Sequence, residues 1–154
     1  MSKQALDACC GSRMFWFDKE NPDVEFMDIR NESHTLCDGR KLEINPTTVG
    51  DFTNMPFENE SFKLVIFDPP HMESLGEKSW MRLKYGKLYK GWESDIQKGF
   101  EECFRVLKDG GILVFKWCSV EVPVSKLISL AKKQPLIGHK SGKRQDTHWI
   151  LFMK

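Results

Sequence analysis

A chain of 154 residues fits one domain and can bury a real core, since an unfolded chain of about 150 residues hides roughly 68–70% of its surface on folding. Lys and Arg total 23 against 22 Asp and Glu, a formal charge of +1, so the molecule as a whole does not attract polyanions and any such partner needs a local patch. Five cysteines at irregular spacing (Cys9, Cys10, Cys37, Cys103, Cys118) contain no CxxC pair, no signal peptide opens the chain, and no apolar run approaches the ~20 residues of a membrane span; a cytoplasmic protein with reduced thiols and no membrane or metal partner is expected.

QALDACC at 4–10 reads as the first strand, and its end, CCGSR, offers a Gly-containing turn. MFWFDK then begins a short helix that Asn21 and Pro22 stop. VEFMDIR at 24–30 is the second strand. Residues 31–46 are polar with a DGR turn signal, which suits a hairpin or irregular excursion better than a helix. TTVGDF at 47–52 is a short third strand, and KLVIFD, ending at Asp68, is a fourth. From Ser94 the pattern turns helical: Ser94 and Gln97 have capping-box spacing, Ile96, Phe100, Cys103, Phe104 and Leu107 share a face, and Gly110 ends the run. GILVFKWC at 111–118 is a continuous apolar strand, and VPVSKLISLAKK carries a helical stripe behind Pro123. PLIGH and THWILFM flank a short polar loop and form an antiparallel pair. Alternating strands and helices predict parallel α/β units.

In an open parallel sheet, ligands sit beyond the carboxyl ends of the strands. Those ends carry CCGSR, Asp28, Asp51 with Phe52, and DPPH at 68–71. In that order and spacing they resemble the class I S-adenosylmethionine-dependent methyltransferases. The resemblance covers essentially the whole chain. It implies a single Rossmann-like domain over residues 1–154, with a mostly parallel twisted sheet, helices on both faces and an antiparallel last strand.

On this resemblance LDACCGSR, with Asp7, Cys9 and Gly11, is the loop that approaches the methionine part of S-adenosylmethionine. Asp28, 17 positions after Gly11, accepts the ribose hydroxyls. Asp51 accepts from the adenine amino group, and Phe52 or Met55 packs on the ring. Arg13 stands where the family has a glycine: either its guanidinium holds the cofactor carboxylate or cofactor affinity is weak. The layout of a short DPPH chain ending in SGKRQDTHW further resembles small methyltransferases encoded by phages and prophages.

DPPH resembles the family's catalytic tetrapeptide. An amine on a nucleobase or amide is a poor nucleophile because its lone pair is delocalised. A carboxylate at Asp68 and the Pro69 carbonyl, stiffened by Pro70, would accept its two hydrogens and aim the lone pair at the methyl group. The fourth position is normally aromatic; His71 can stack on the acceptor or relay a proton.

EKSWMRLKYGKLYKGW at 77–92 follows, with Lys78, Arg82, Lys84, Lys87 and Lys90 interleaved with Trp80, Tyr85, Tyr89 and Trp92. Cations alternating with rings suit phosphate tracking and base stacking; the other reading is a lid whose lysines are merely solvated. A second basic group, His139, Lys140, Lys143 and Arg144, lies near the last turn. Cys9, Cys10 and His34 lack metal-site spacing. The expected activity is methyl transfer to an amino nitrogen, on DNA or RNA, with protein side chains or metabolites as the alternative acceptors and a weakly active cofactor-binding subunit as the alternative role. The catalytic sheet leaves no room for a target-recognition domain, so sequence-specific recognition would need a partner chain.

Overall fold

The computed structural model describes residues 2–77 and 79–154. The chain runs β1 (Ala5–Asp7), β2 (Val24–Asp28), β3 (Glu32–Thr35), β4 (Lys41–Ile44), β5 (Thr48–Val49), β6 (Phe62–Phe67), α1 (Trp80–Tyr85), α2 (Trp92–Val106), β7 (Leu107–Cys118), α3 (Val124–Ala131), β8 (Ile137–Ser141) and β9 (Thr147–Met153). Seven strands form one sheet in the order β5-β2-β1-β6-β7-β9-β8. Neighbours pair in parallel except β9, which runs antiparallel to both β7 and β8. This is the expected mixed α/β sheet with its antiparallel last strand.

The polar excursion after β2 is a hairpin, β3 against β4, with Gly39 at φ 83° in the turn that DGR signalled. It forms a separate two-stranded sheet where a crossover helix would otherwise stand. The first and third strands are shorter than expected because their polar ends leave the sheet as site loops. α2 starts two residues before Ser94, behind Gly91 in the left-handed region, and no side-chain cap is formed. The capping-box expectation therefore fails, because the positive φ of Gly91 already makes the turn.

The core lies on one face of the sheet. Val65, Phe67, Leu113, Phe115 and Trp117 pack under Ile96, Phe100, Cys103 and Val106 of α2 and Leu127 of α3. α2 and α3 also pack on each other. The expected helices on both faces are not found among the described residues. Residues 14–19 form turns instead of a helix, because Phe15 and Trp16 are used as a cover: Trp16 joins Ala5, Cys10, Val24 and Phe26 in a small second cluster, and Phe15 packs on Trp149. That cover spans β1 and β2. Farther along the same face, Ile66, Val114, Leu151 and Ile137 align across four strands, as do Leu64, Ile112 and Met153 across three. Ile137 is 61% exposed and Met153 46%, and the other members of these rows are half-buried. No described helix is long and apolar enough to cross a membrane.

Candidate active site

Four strand ends and one overhanging segment meet in a cavity of about 680 Å³, within the usual range for small-molecule sites. Cys9 and Gly11 line it from the loop after β1, Asp28 from β2, Asp51 and Phe52 from the loop after β5, and Asp68, Pro69, Pro70 and His71 from the end of β6. Arg82, Lys84, Tyr85 and Lys87 roof it. These residues are thus brought together as the sequence predicts.

Gly11 adopts φ 48° and donates its N–H to Asp28 Oδ2 at 2.9 Å, so the turn and the acid are built as one unit. Asp28 Oδ1 accepts from the N–H and Nε of Arg30, at 2.9 and 3.1 Å. The Arg30 guanidinium continues to the carbonyls of Leu83 (2.7 Å) and Lys84 (3.5 Å), latching the roof to the floor. Gly86 ends α1 at φ 79°; a Cβ there would stand 3.0 Å from Pro70 Cγ, so only glycine lets the chain cross the tetrapeptide.

Asp51 is exposed, and its Oδ1 accepts from the N–H and hydroxyl of Thr53, both at 2.8 Å. Phe52 packs edge-on to Phe67 at 5.2 Å and presents its other side to the cavity. Met55 is buried in the core, so of the two candidates for the ring contact Phe52 is the one in place. Asp68 Oδ2 lies 3.6 Å from Lys116 Nζ. Burial pushes the Asp68 carboxyl up to about 6, against the pull of Lys116. His71 sits 6.1 Å from the rings of both Tyr85 and Trp117, and burial, aided by Lys116, pushes it down to about 4; it is a neutral aromatic surface near neutral pH.

Three expectations are corrected. The Arg13 guanidinium does not reach the cavity: it donates to the carbonyls of Lys19 and Asn45, pairs with Glu20 and lies 4.1 Å over Phe26. Left-handed backbone at φ 59° turns the residue beneath the loop. Asp7 is fully buried on the same face, Oδ2 accepting from Trp16 Nε1 at 2.8 Å, and it does not line the cavity. Its other oxygen has no partner among the described residues, and burial holds this carboxyl up at about 7. Trp80 is 49% exposed and outside the lining, its ring 5.8 Å from Lys84 Nζ. Lys78 lies outside the described residues. The second basic group occupies the β8–β9 hairpin; Lys143 and Arg144 are exposed at its turn, which lies at the sheet edge where β7 ends.

Lys116, Arg30, Glu32 and Phe15 also line the cavity and were not singled out from sequence; His34, set aside above as a metal ligand, joins them from β3. A lysine inside the apolar run LVFKWC and an arginine two residues after the strand-end acid were the available signals.

No family model matches the sequence. A curated relative, malonyl-[acyl-carrier protein] O-methyltransferase 1 of Coxiella burnetii, is 33% identical over 67 residues; the match covers 44% of this chain and 17% of that protein. Among solved structures, a Pyrococcus horikoshii protein superposes with a TM-score of 0.65 at 18% identity, covering 99% of this chain and 82% of its own. An S-adenosylmethionine-dependent methyltransferase of Methanosarcina mazei gives 0.59 at 11%, covering 99% and 92%. The N-methyltransferase NodS of Bradyrhizobium japonicum gives 0.61 at 12%, covering 99% and 85%. The fold is that of the S-adenosylmethionine-dependent methyltransferases. In this methyltransferase fold the strand ends that line the cavity are the sheet's ligand-binding edge.

Proposed function

We propose that this chain transfers a methyl group from S-adenosylmethionine to an amino nitrogen of a nucleobase in DNA or RNA. The observation that carries the reading is the placement of Asp68 and His71 in the same cavity as Gly11, Asp28, Asp51 and Phe52. The residues fit the cofactor: an acid at a positive-φ glycine turn for the ribose, and an exposed acid beside a ring for the adenine. When bound, S-adenosylmethionine supplies an electrophilic methyl group. Asp68 accepts one hydrogen of the acceptor amine and holds its lone pair toward that methyl; Pro69 and Pro70 fix the backbone that accepts the other. His71 and Tyr85 offer ring surfaces for a base brought out of its stack.

The choice of a polyanion rests on Arg82, Lys84 and Lys87 at the roof and on the basic hairpin turn at the same edge. The layout shared with small phage and prophage methyltransferases, and a cytoplasmic setting in keeping with five unpaired cysteines, belong to the same proposal. One observation favours a small acceptor instead: α1 closes down until Gly86 touches Pro70 and the Lys84 carbonyl stands over Gly11, which narrows the entrance. The test is a tritiated-methyl assay over DNA, RNA, protein and metabolite pools. Label in nucleic acid supports the first reading, label in small molecules supports the second, and no label in any pool overturns both.

A further inference from the structure

Lys116 stands near the carboxyl end of β7 between Phe115 and Trp117, both fully buried on the helix-covered face. Its own side chain goes to the opposite face, where three separate elements enclose it. Nζ lies 3.6 Å from Asp68 Oδ2, 4.8 Å from the centroid of Phe15 and 5.7 Å from that of Trp149, its cross-strand partner. The enclosing rings are themselves fixed: Phe15 meets Trp149 edge-on at 5.4 Å, and Trp149 Nε1 donates to Ser141 Oγ at 3.0 Å. A lysine stem ordinarily runs to solvent, whereas this one is held over two rings and against a carboxylate. A partly buried ion pair is a poor source of stability, and an apolar chain of the same length would fill the slot without desolvating a charge. Function is the better reason for a lysine here.

We propose that Lys116 is the positioning residue of the Asp68-Pro69-Pro70-His71 tetrapeptide, its caged ammonium holding the Asp68 carboxylate ionised and aimed at the acceptor amine. The inference rests on the reading of Asp68 given above. Asp68 also faces Asp7 from β1 and Cys9 from the following loop, and neither supplies positive charge. Lys116 is the cation that opposes burial at Asp68. It also disfavours a charge on His71, where Glu121 acts in the opposite sense. One ammonium thereby favours the anionic form of the first residue of the tetrapeptide and adds to the burial that keeps the last one neutral.

The test has two readouts. In protein labelled with ¹³C at the aspartate carboxyls, the Asp68 resonance is assigned by its loss in Asp68→Asn and titrated in wild type, Lys116→Met, Lys116→Gln and Lys116→Arg. Loss of the cation is expected to raise the Asp68 midpoint by about one unit or more, and arginine to restore most of it. The acidic limb of the transfer rate should move with it, while S-adenosylmethionine affinity stays within about tenfold. An Asp68 midpoint unmoved in both Lys116→Met and Lys116→Gln overturns the inference, whatever the enzyme methylates. A moved midpoint in a protein that methylates nothing upholds the electrostatic role of Lys116 and overturns the methyl-transfer reading instead.

Discussion

Asp28 and Asp68 line one cavity, and on the proposed function the first serves the cofactor and the second the acceptor, so their removal should separate binding from turnover. Asp28→Ala is expected to weaken S-adenosylmethionine binding by about 1–3 kcal/mol, measured by calorimetric titration, because a charged acceptor is lost. Unchanged affinity removes Asp28 from the ribose site. Asp68→Ala should leave that affinity within about tenfold while transfer falls a hundredfold or more, since the lost interaction acts chiefly in the transition state. Equal transfer by wild type and Asp68→Ala would refute the role given to the tetrapeptide. Asp7 makes a different kind of claim. Its folded-state value of about 7 lies above the ordinary 3.8, so the folded protein binds the proton more tightly than the unfolded chain. Stability from this group is full below the ordinary value and is lost as pH rises toward 7; Asp68, held at about 6, contributes with the same sign. Between about pH 5 and about pH 8 these two carboxyls should together cost on the order of 2–4 kcal/mol, offset in part below about pH 6.5 by His71, whose depressed value acts with the opposite sign; the stability of Asp7→Asn should fall less steeply with pH than that of wild type in denaturant melts. An identical slope in the variant would show that the unpartnered oxygen is solvated.

At the scale of elements, the roof and α2 carry the testable contacts. Asp28 already accepts three hydrogens, from Gly11, Arg30 N–H and Arg30 Nε, and a carboxylate offers about four acceptor sites. On the proposed function, two ribose hydroxyls at Asp28 would require Arg30 Nε to yield, which would loosen the latch on the Leu83 and Lys84 carbonyls. The roof cations are tested together: Arg82, Lys84 and Lys87 all changed to Ala should lower affinity for single-stranded nucleic acid and flatten its salt dependence. Wild-type binding without salt sensitivity would shift the proposal to small acceptors. In α2, a Cβ on Gly99 would stand 2.6 Å from both Phe52 Cδ2 and Phe67 Cζ. Gly99→Ala should cost about 1–3 kcal/mol in thermal melts by overpacking and should weaken cofactor binding by displacing Phe52. How much of this was legible depended on whether a local pattern decided it. β6 with its proline stop, the stripe of α2 and the DGR hairpin turn were readable because periodicity and turn chemistry fix them. The direction of Arg13 was not, since spacing does not say on which side of a loop a side chain falls. Lys116 was hidden because an apolar run is read as a strand without asking where its one charge must go. The aromatic run MFWF read as a helix because cover over a sheet leaves no signature of period.

For the molecule as a whole, the uneven layering is the feature with the widest reach. Helices cover one face of the sheet, and the aromatic loop covers part of the other, leaving the rows through Ile66 and Ile112 half wet. The accessible surface is 8848 Å² for 17.9 kDa, whereas a monomer of that mass exposes roughly 8000 Å². Apolar surface that is hydrated before melting adds nothing when the chain melts. The heat-capacity increment of unfolding should accordingly fall below the roughly 1.8–2.3 kcal/mol/K expected from chain length, and the curve of stability against temperature should be correspondingly flat. Scanning calorimetry reads this directly: a dome as steep as that of a fully layered domain would mean that the wet rows are covered in solution. A shallow one means that this protein keeps much of its stability on cooling and gains little at its optimum.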